Sequence, residues 1–229
     1  MEGNGLLDAP HPPQLTIWRL LRRAAFIMTI LSLLALVGCG HAALTGREED
    51  PLSAREHFTL GSIYEKRGEP ELALREYTMA LRKDSHFLPA VTRSAELSYV
   101  MGHYDQAESS YRKAIKLAPR NGDLYNNLCW VYLSQGRKLK KAERLIIVAM
   151  EVNPEHKGYY LDTLGAIYLE QHRYREAVEV LEAAASFFDE TQSDLLGQVY
   201  RHLGAAYEGI GERSKAAEAF KKARDLLER

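Results

Sequence analysis

The chain has 229 residues, with 30 Lys and Arg against 31 Asp and Glu, and 46% of it is hydrophobic. So even a balance supplies no clustered positive field, which excludes a nucleic-acid partner. With only two cysteines, Cys39 and Cys129, the sequence is not a disulfide framework.

The first basic residues are Arg19, Arg22 and Arg23, and an uncharged apolar run from Ala24 to Val37 follows them. As helix this run spans about 21 Å, short of the ~30 Å hydrocarbon core, and it suits the apolar region of a secretory signal. It ends Leu36-Val37-Gly38-Cys39, which resembles a bacterial lipobox. The resemblance implies cleavage before Cys39 and lipidation of that cysteine, with an uncleaved signal anchor as the alternative. Gly40, where an Asp would retain a lipoprotein in the inner membrane, resembles an outer-membrane address facing the periplasm; inner-membrane anchoring is the alternative. Residues 1–38 are thus expected to be a signal peptide, and 39–53 a lipidated cysteine with a polar, flexible tether. Loss of 1–38 removes three Arg and two acids, leaving a net charge of −2. The coil from Gly40 to Ser53 reaches about 20 Å, so the remainder of the chain works close to its membrane.

From Ala54 onward the sequence repeats. Ala73, Ala107, Ala142, Ala177 and Ala216 recur with a period near 34 residues. A period of that length indicates a stacked helical array, each unit leaving an apolar face that only its neighbour covers. Within a unit, Leu60, Gly61 and Tyr64 share one helical face, as do Ala73, Tyr77 and Ala80. The same two triplets return as Ser94, Ala95, Ser98 with Ala107, Tyr111, Ala114, and as Leu128, Cys129, Tyr132 with Ala142, Ile146, Ala149. They return again as Leu164, Gly165, Tyr168 with Ala177, Leu181, Ala184, and as Leu203, Gly204, Tyr207 with Ala216, Phe220, Ala223. Gly68, Gly102, Gly136 and Gly211 end first helices, and Pro119 and Pro154 close second helices.

In this pattern the chain resembles the tetratricopeptide repeat over about three quarters of its length. The resemblance implies an all-α, right-handed α-solenoid of about five helix pairs, at 54–87, 88–121, 122–157, 158–196 and 197–229. Its departures are specific. Ser94 and Ser98 stand where Leu and Tyr are expected, so repeat 2 should be the softest unit. His172 replaces the turn glycine in repeat 4, which should strain that turn. Five extra residues before repeat 5, near Phe187-Phe188, call for a longer helix or loop with the phenylalanines packed beneath it. The outer side of the last helix is either a polar cap, given Lys221, Lys222, Arg224 and Asp225, or a self-association surface that would give a homodimer.

The eight histidines show no metal-ligand spacing, and no P-loop, GxGxxG or GxSxG occurs. No cofactor, metal or enzymatic activity is expected. Cys129 occupies a position that requires a small residue, so it reads as a buried structural thiol. The family's first helices line a concave groove. By register the lining includes Phe58, Ser62, Thr92, Glu96, Tyr99, Asn126, Trp130, Leu133, Tyr159, Asp162, Leu169, Arg201 and Glu208. Phe58, Tyr99, Trp130 and Tyr159 form an aromatic stripe suited to capturing a partner, or else they pack between neighbouring helices. Asn126 and Asn127 could pair with a peptide backbone. The lysines of a carboxylate clamp are missing from this register, and Glu96 would repel a carboxylate.

The expected function is a membrane-tethered adaptor that binds envelope proteins in this groove. In size and layout the chain is similar to the tetratricopeptide lipoproteins of type IV pilus biogenesis, which assist secretin assembly. An adaptor for peptidoglycan hydrolases, a component of a motility or polysaccharide-export complex, and a glycan or small-molecule platform are the alternatives.

Overall fold

The computed structural model describes residues 50–228, which form ten α-helices and no strand. The expected signal peptide, Cys39 and most of the tether lie outside the described residues. Among the described residues no helix is long and apolar enough to cross a membrane.

The helices form five antiparallel pairs: α1 (Ala54–Lys66) with α2 (Pro70–Lys83), α3 (Leu88–Val100) with α4 (Tyr104–Leu117), α5 (Gly122–Leu133) with α6 (Leu139–Val152), α7 (Lys157–Glu170) with α8 (Tyr174–Ala185), and α9 (Ser193–Gly209) with α10 (Arg213–Leu227). Each second helix also packs on the first helix of the next pair. Along one side, α3 touches α5, α5 touches α7 and α7 touches α9. First helices therefore crowd together on the inner face, and second helices are held apart on the outer face. This is an all-α solenoid.

The local causes are the ones the repeat requires. Ser53 caps α1: its hydroxyl accepts from the Glu56 amide, and the Glu56 carboxylate accepts from the Ser53 amide at 2.7 Å. The recurring alanines Ala73, Ala107, Ala142 and Ala177 are completely buried. Between the helices of a pair there is no room for more: a Cβ on Gly61 would lie 2.6 Å from Tyr77, and one on Gly165 2.4 Å from Leu181. Gly68, Gly102, Gly136 and Gly211 all adopt positive φ at the turns. His172 takes the same conformation at φ 59°, as the repeat register requires, and so does Lys138 at φ 58° in the turn between α5 and α6, which is one residue longer than its counterparts. Cys129 is fully buried, its thiol donates to the Ala142 carbonyl at 3.3 Å, and burial pushes the thiol pKa up.

From the second pair onward, neighbouring pairs are joined by a layer that places a tyrosine of the first helix beside an acid of the preceding second helix. The Tyr132 hydroxyl donates to Glu108, and Lys138 Nζ sits 5.3 Å from the ring centroid while also binding Glu108 at 2.7 Å. Arg173 lies 4.1 Å over the Tyr168 ring and donates to Glu143 at 3.0 Å. The Tyr207 hydroxyl donates to Glu182 beneath Lys215, and burial followed by that bond pushes its pKa up to about 12.

The insertion before repeat 5 takes the longer-helix form that was expected: α9 begins at Ser193 and reaches 17 residues behind a short 3-10 turn, Glu190–Gln192. The expected burial of both phenylalanines needs correction. Phe187 is not packed beneath this segment; it is 50% exposed, with its Cβ over the close approach to Gly158, while Phe188 is half-buried.

Candidate functional site

The inner face carries two recesses. The first holds about 280 Å³ and is lined by Tyr99 of α3, Trp130 and Leu133 of α5, Leu169 of α7 and His202 of α9. Four successive first helices thus contribute to one small cavity. The Trp130 and His202 rings are 6.5 Å apart, and the Tyr99 hydroxyl is 2.9 Å from Ser134 Oγ across the repeat boundary. His202 is held from behind by Asp162: its Nδ1 lies 2.7 Å from the buried carboxylate, to which Gln198 also donates at 3.3 Å. The Nδ1 edge of the imidazole is therefore fixed, and the ring is presented to Trp130.

The second recess, about 620 Å³, is bordered by Glu96, Asp123, Asn127, Glu155, Tyr159 and Phe187. Its chemistry is acidic and aromatic. Asp123 accepts from the Tyr160 hydroxyl at 2.7 Å and meets His156 Nδ1 at 3.0 Å. Glu96 is paired with Arg93, which also reaches Glu65. Burial raises the Tyr159 pKa above its ordinary value. Among the described residues no group of His, Cys, Asp and Glu is arranged to hold a metal ion.

The residues expected from the sequence fall into separate groups. Tyr99, Trp130, Leu133 and Leu169 meet in the first recess, and Tyr159 and Glu96 line the second. Phe58 joins neither: it packs between helices, 5.5 Å from the Tyr77 ring and 5.6 Å from that of Phe87. Asn126 is not open to a peptide. It is fully buried, and its Oδ1 accepts from Thr163 across the α5–α7 contact at 2.7 Å, while its Nδ2 has no hydrogen-bond partner. Its neighbour Asn127 is the one that faces the recess. Arg201 is exposed and lines neither recess; His202, one position on, takes the inward place. His202 and Phe187 are outside the expected lining: the position taken as lining faces the next first helix, as Asn126 meets Thr163 and Asp162 meets His202, so at α9 it is the residue after Arg201 that reaches the recess, and Phe187 lies in the insertion between the last two repeats.

Comparison with known proteins agrees with this architecture. Family models of the tetratricopeptide repeat match residues 93–143 and 159–229. Over 146 residues, 64% of this chain, the sequence is 27% identical to anaphase-promoting complex subunit 3 of Schizosaccharomyces pombe, of which it spans 22%. Over 126 residues it is 27% identical to the type IV pilus assembly protein PilF of Pseudomonas aeruginosa, covering 54% of this chain and 50% of that one. The chain therefore spans half or less of these relatives. Among solved structures, MamA of Desulfovibrio magneticus superposes with a TM-score of 0.66 at 20% identity, over 76% of this chain and 95% of that one. PilW, described as a widely conserved type IV pilus biogenesis factor, gives 0.66 at 17% identity over 77% and 78%. At such identities these structures share the fold. Five helix pairs of one design, with family matches that together span more than half of the sequence, place the chain in the tetratricopeptide-repeat family of protein–protein interaction scaffolds.

Proposed function

We propose that this protein is a membrane-tethered adaptor of the bacterial envelope that holds a segment of a partner protein against its inner face. The observation that carries this reading is the recess formed by Tyr99, Trp130, Leu133, Leu169 and His202. It is assembled from four repeats, and its aromatic side chains offer a large contact area at low entropic cost, as hot-spot residues do. The acidic recess beside it suits a segment carrying a basic residue near an apolar one. The apolar run ending in Leu36-Val37-Gly38-Cys39 supports tethering through a lipidated Cys39, with Gly40 favouring the outer membrane. The likeness to PilF and PilW supports a place in the assembly of a pilus or its secretin.

The test is cross-linked co-purification from native membranes, comparing the natural chain with a Tyr99→Ala, Trp130→Ala variant whose helical content is unchanged. A partner recovered with the first and lost with the second supports the adaptor reading. Equal recovery from both would remove the binding surface from the inner face.

A further inference from the structure

On the outer face, α2 and α4 flank a cleft of about 770 Å³. The tyrosine layer that joins the other pairs is missing there. The position held by Tyr132, Tyr168 and Tyr207 is Ser98; the place of Glu108 and Glu143 on the preceding second helix is Leu74; the place of Lys138 and Arg173 is His103. The α8–α9 interface also changes the last two places, to Val178 and Glu212, but keeps Tyr207 and rebuilds the layer with Glu182 and Lys215; loss of the tyrosine itself sets the α2–α4 interface apart, and Ser98, Leu74 and His103 all line the cleft.

The next interface shows what the layer does. Between α4 and α6 a recess of about 610 Å³ is lined by α4 and Lys138 alone, with no residue of α5 reaching it. Tyr132 and its ion pairs close that floor. Between α2 and α4 the cleft extends down to α3, with Ser94, Ser98 and Met101 beneath. Ser94 and Ser98 are themselves almost closed off, so an incoming group would rest on the half-buried Leu74, Leu81 and Met101. This floor is apolar and adaptable, because methionine has an unbranched, flexible side chain. At the rim stand Arg75 and His103, and the Arg75 side chain is 68% exposed. A cation over a ring is what the sister interfaces supply to Tyr132, Tyr168 and Tyr207.

We infer that the α2–α4 cleft is a second docking site, which takes an aromatic side chain presented by a segment of a partner protein, laid on Leu74, Leu81 and Met101 over the place where repeat 2 lacks its tyrosine. The occupant is defined by three sister sites in the same molecule, each filled by a phenol ring beneath a cation. The site opens between second helices on the outer face and shares no lining residue with the inner-face recesses, so it does not depend on their role.

The test uses the full chain with ¹³C-methyl methionine and follows the Met101 signal. The probes are p-cresol, its saturated analogue 4-methylcyclohexanol, and two blocked pentapeptides, Gly-Gly-Tyr-Gly-Gly and Gly-Gly-Leu-Gly-Gly. Expected are saturable ring-current shifts with p-cresol and with the tyrosine peptide, at dissociation constants on the order of 1 mM. The aliphatic alcohol and the leucine peptide should bind at least about fivefold more weakly. Ser98→Tyr should fill the cleft from within, shift Met101 without any probe and abolish binding. If that variant does not fold, Thr78→Trp, at an exposed position on the rim, should weaken both aromatic probes by a similar factor. No saturable shift, equal affinity for the saturated analogue, or binding that survives both substitutions would overturn the proposal. Binding of p-cresol without the tyrosine peptide would overturn the assignment to a protein segment and leave a free phenolic ligand.

Discussion

The hydroxyl of Tyr132 on α5 donates to the carboxylate of Glu108 on α4 at 3.1 Å, joining the second repeat to the third. Glu108 is almost buried, with only 7% of its side chain exposed, and Arg112 and Lys138 neutralise it. Tyr132→Phe should cost about 1 kcal/mol and Glu108→Gln about 1–2 kcal/mol, since hydrogen bonds to a charged, buried acceptor exceed neutral ones. The double variant should cost less than the sum of the two in chemical denaturation, because both belong to one network.

Burial pushes the Glu108 carboxyl up, but the bonds from Lys138 and Tyr132 and the charge of Arg112 outweigh it and hold the pKa below the ordinary value near 4.5. A carboxylate whose pKa is lowered on folding contributes stability that is fully present above the unfolded value. That contribution is lost as pH falls through the folded value. Thermal unfolding measured from pH 7 down to pH 3 should therefore show a loss of Tm below about pH 4.5 that is shallower in Glu108→Gln than in the natural chain.

Lys138 and His172 share a left-handed backbone, at φ 58° and 59°, yet substitution by glycine should act in opposite directions. At His172 the backbone strain of a non-glycine residue is offset only by contact of its Nδ1 with the Tyr174 hydroxyl. His172→Gly should raise stability by about 0.5 kcal/mol. At Lys138 the side chain is bound to Glu108 and lies over Tyr132, so Lys138→Gly should lower stability by about 1 kcal/mol despite the same relief of strain. Paired urea titrations would show the difference in sign.

The interface lacking the tyrosine layer should also open first. Amide hydrogen exchange should be faster in α1 and α2 than in α5 to α8, where Glu108 and Glu143 join neighbouring repeats. Joint replacement of Ser98 by Tyr, Leu74 by Glu and His103 by Lys should slow exchange in α2 towards that of the central helices. Uniform exchange along the array would show that the layer contributes nothing to coupling.

The number of helices, their pairing and the turns between them are legible in the sequence, because a solenoid is set by local pattern repeated at a fixed period. Ala73 and its successors, Gly61 and its counterparts, and the turn glycines each do the same job in every unit, so position in the period decides burial. The inner-face site is legible only in part. Tyr99 and Trp130 stand out because they differ from what the repeat's own packing asks for. Asn126 and Arg201 occupy one repeat position and are misplaced for one reason: period marks the face of a helix, not how closely the next helix approaches it. The following first helix covers this position, through Thr163 at Asn126 and through His202 at Asp162, so the residue one place on reaches the recess at α9. The outer cleft illustrates both levels. The sequence alone shows that Ser94 and Ser98 break the pattern, with His103 in the turn that follows; only the tertiary structure shows that Leu74 meets them across the interface, because that proximity depends on how one helix pair is rotated against the next.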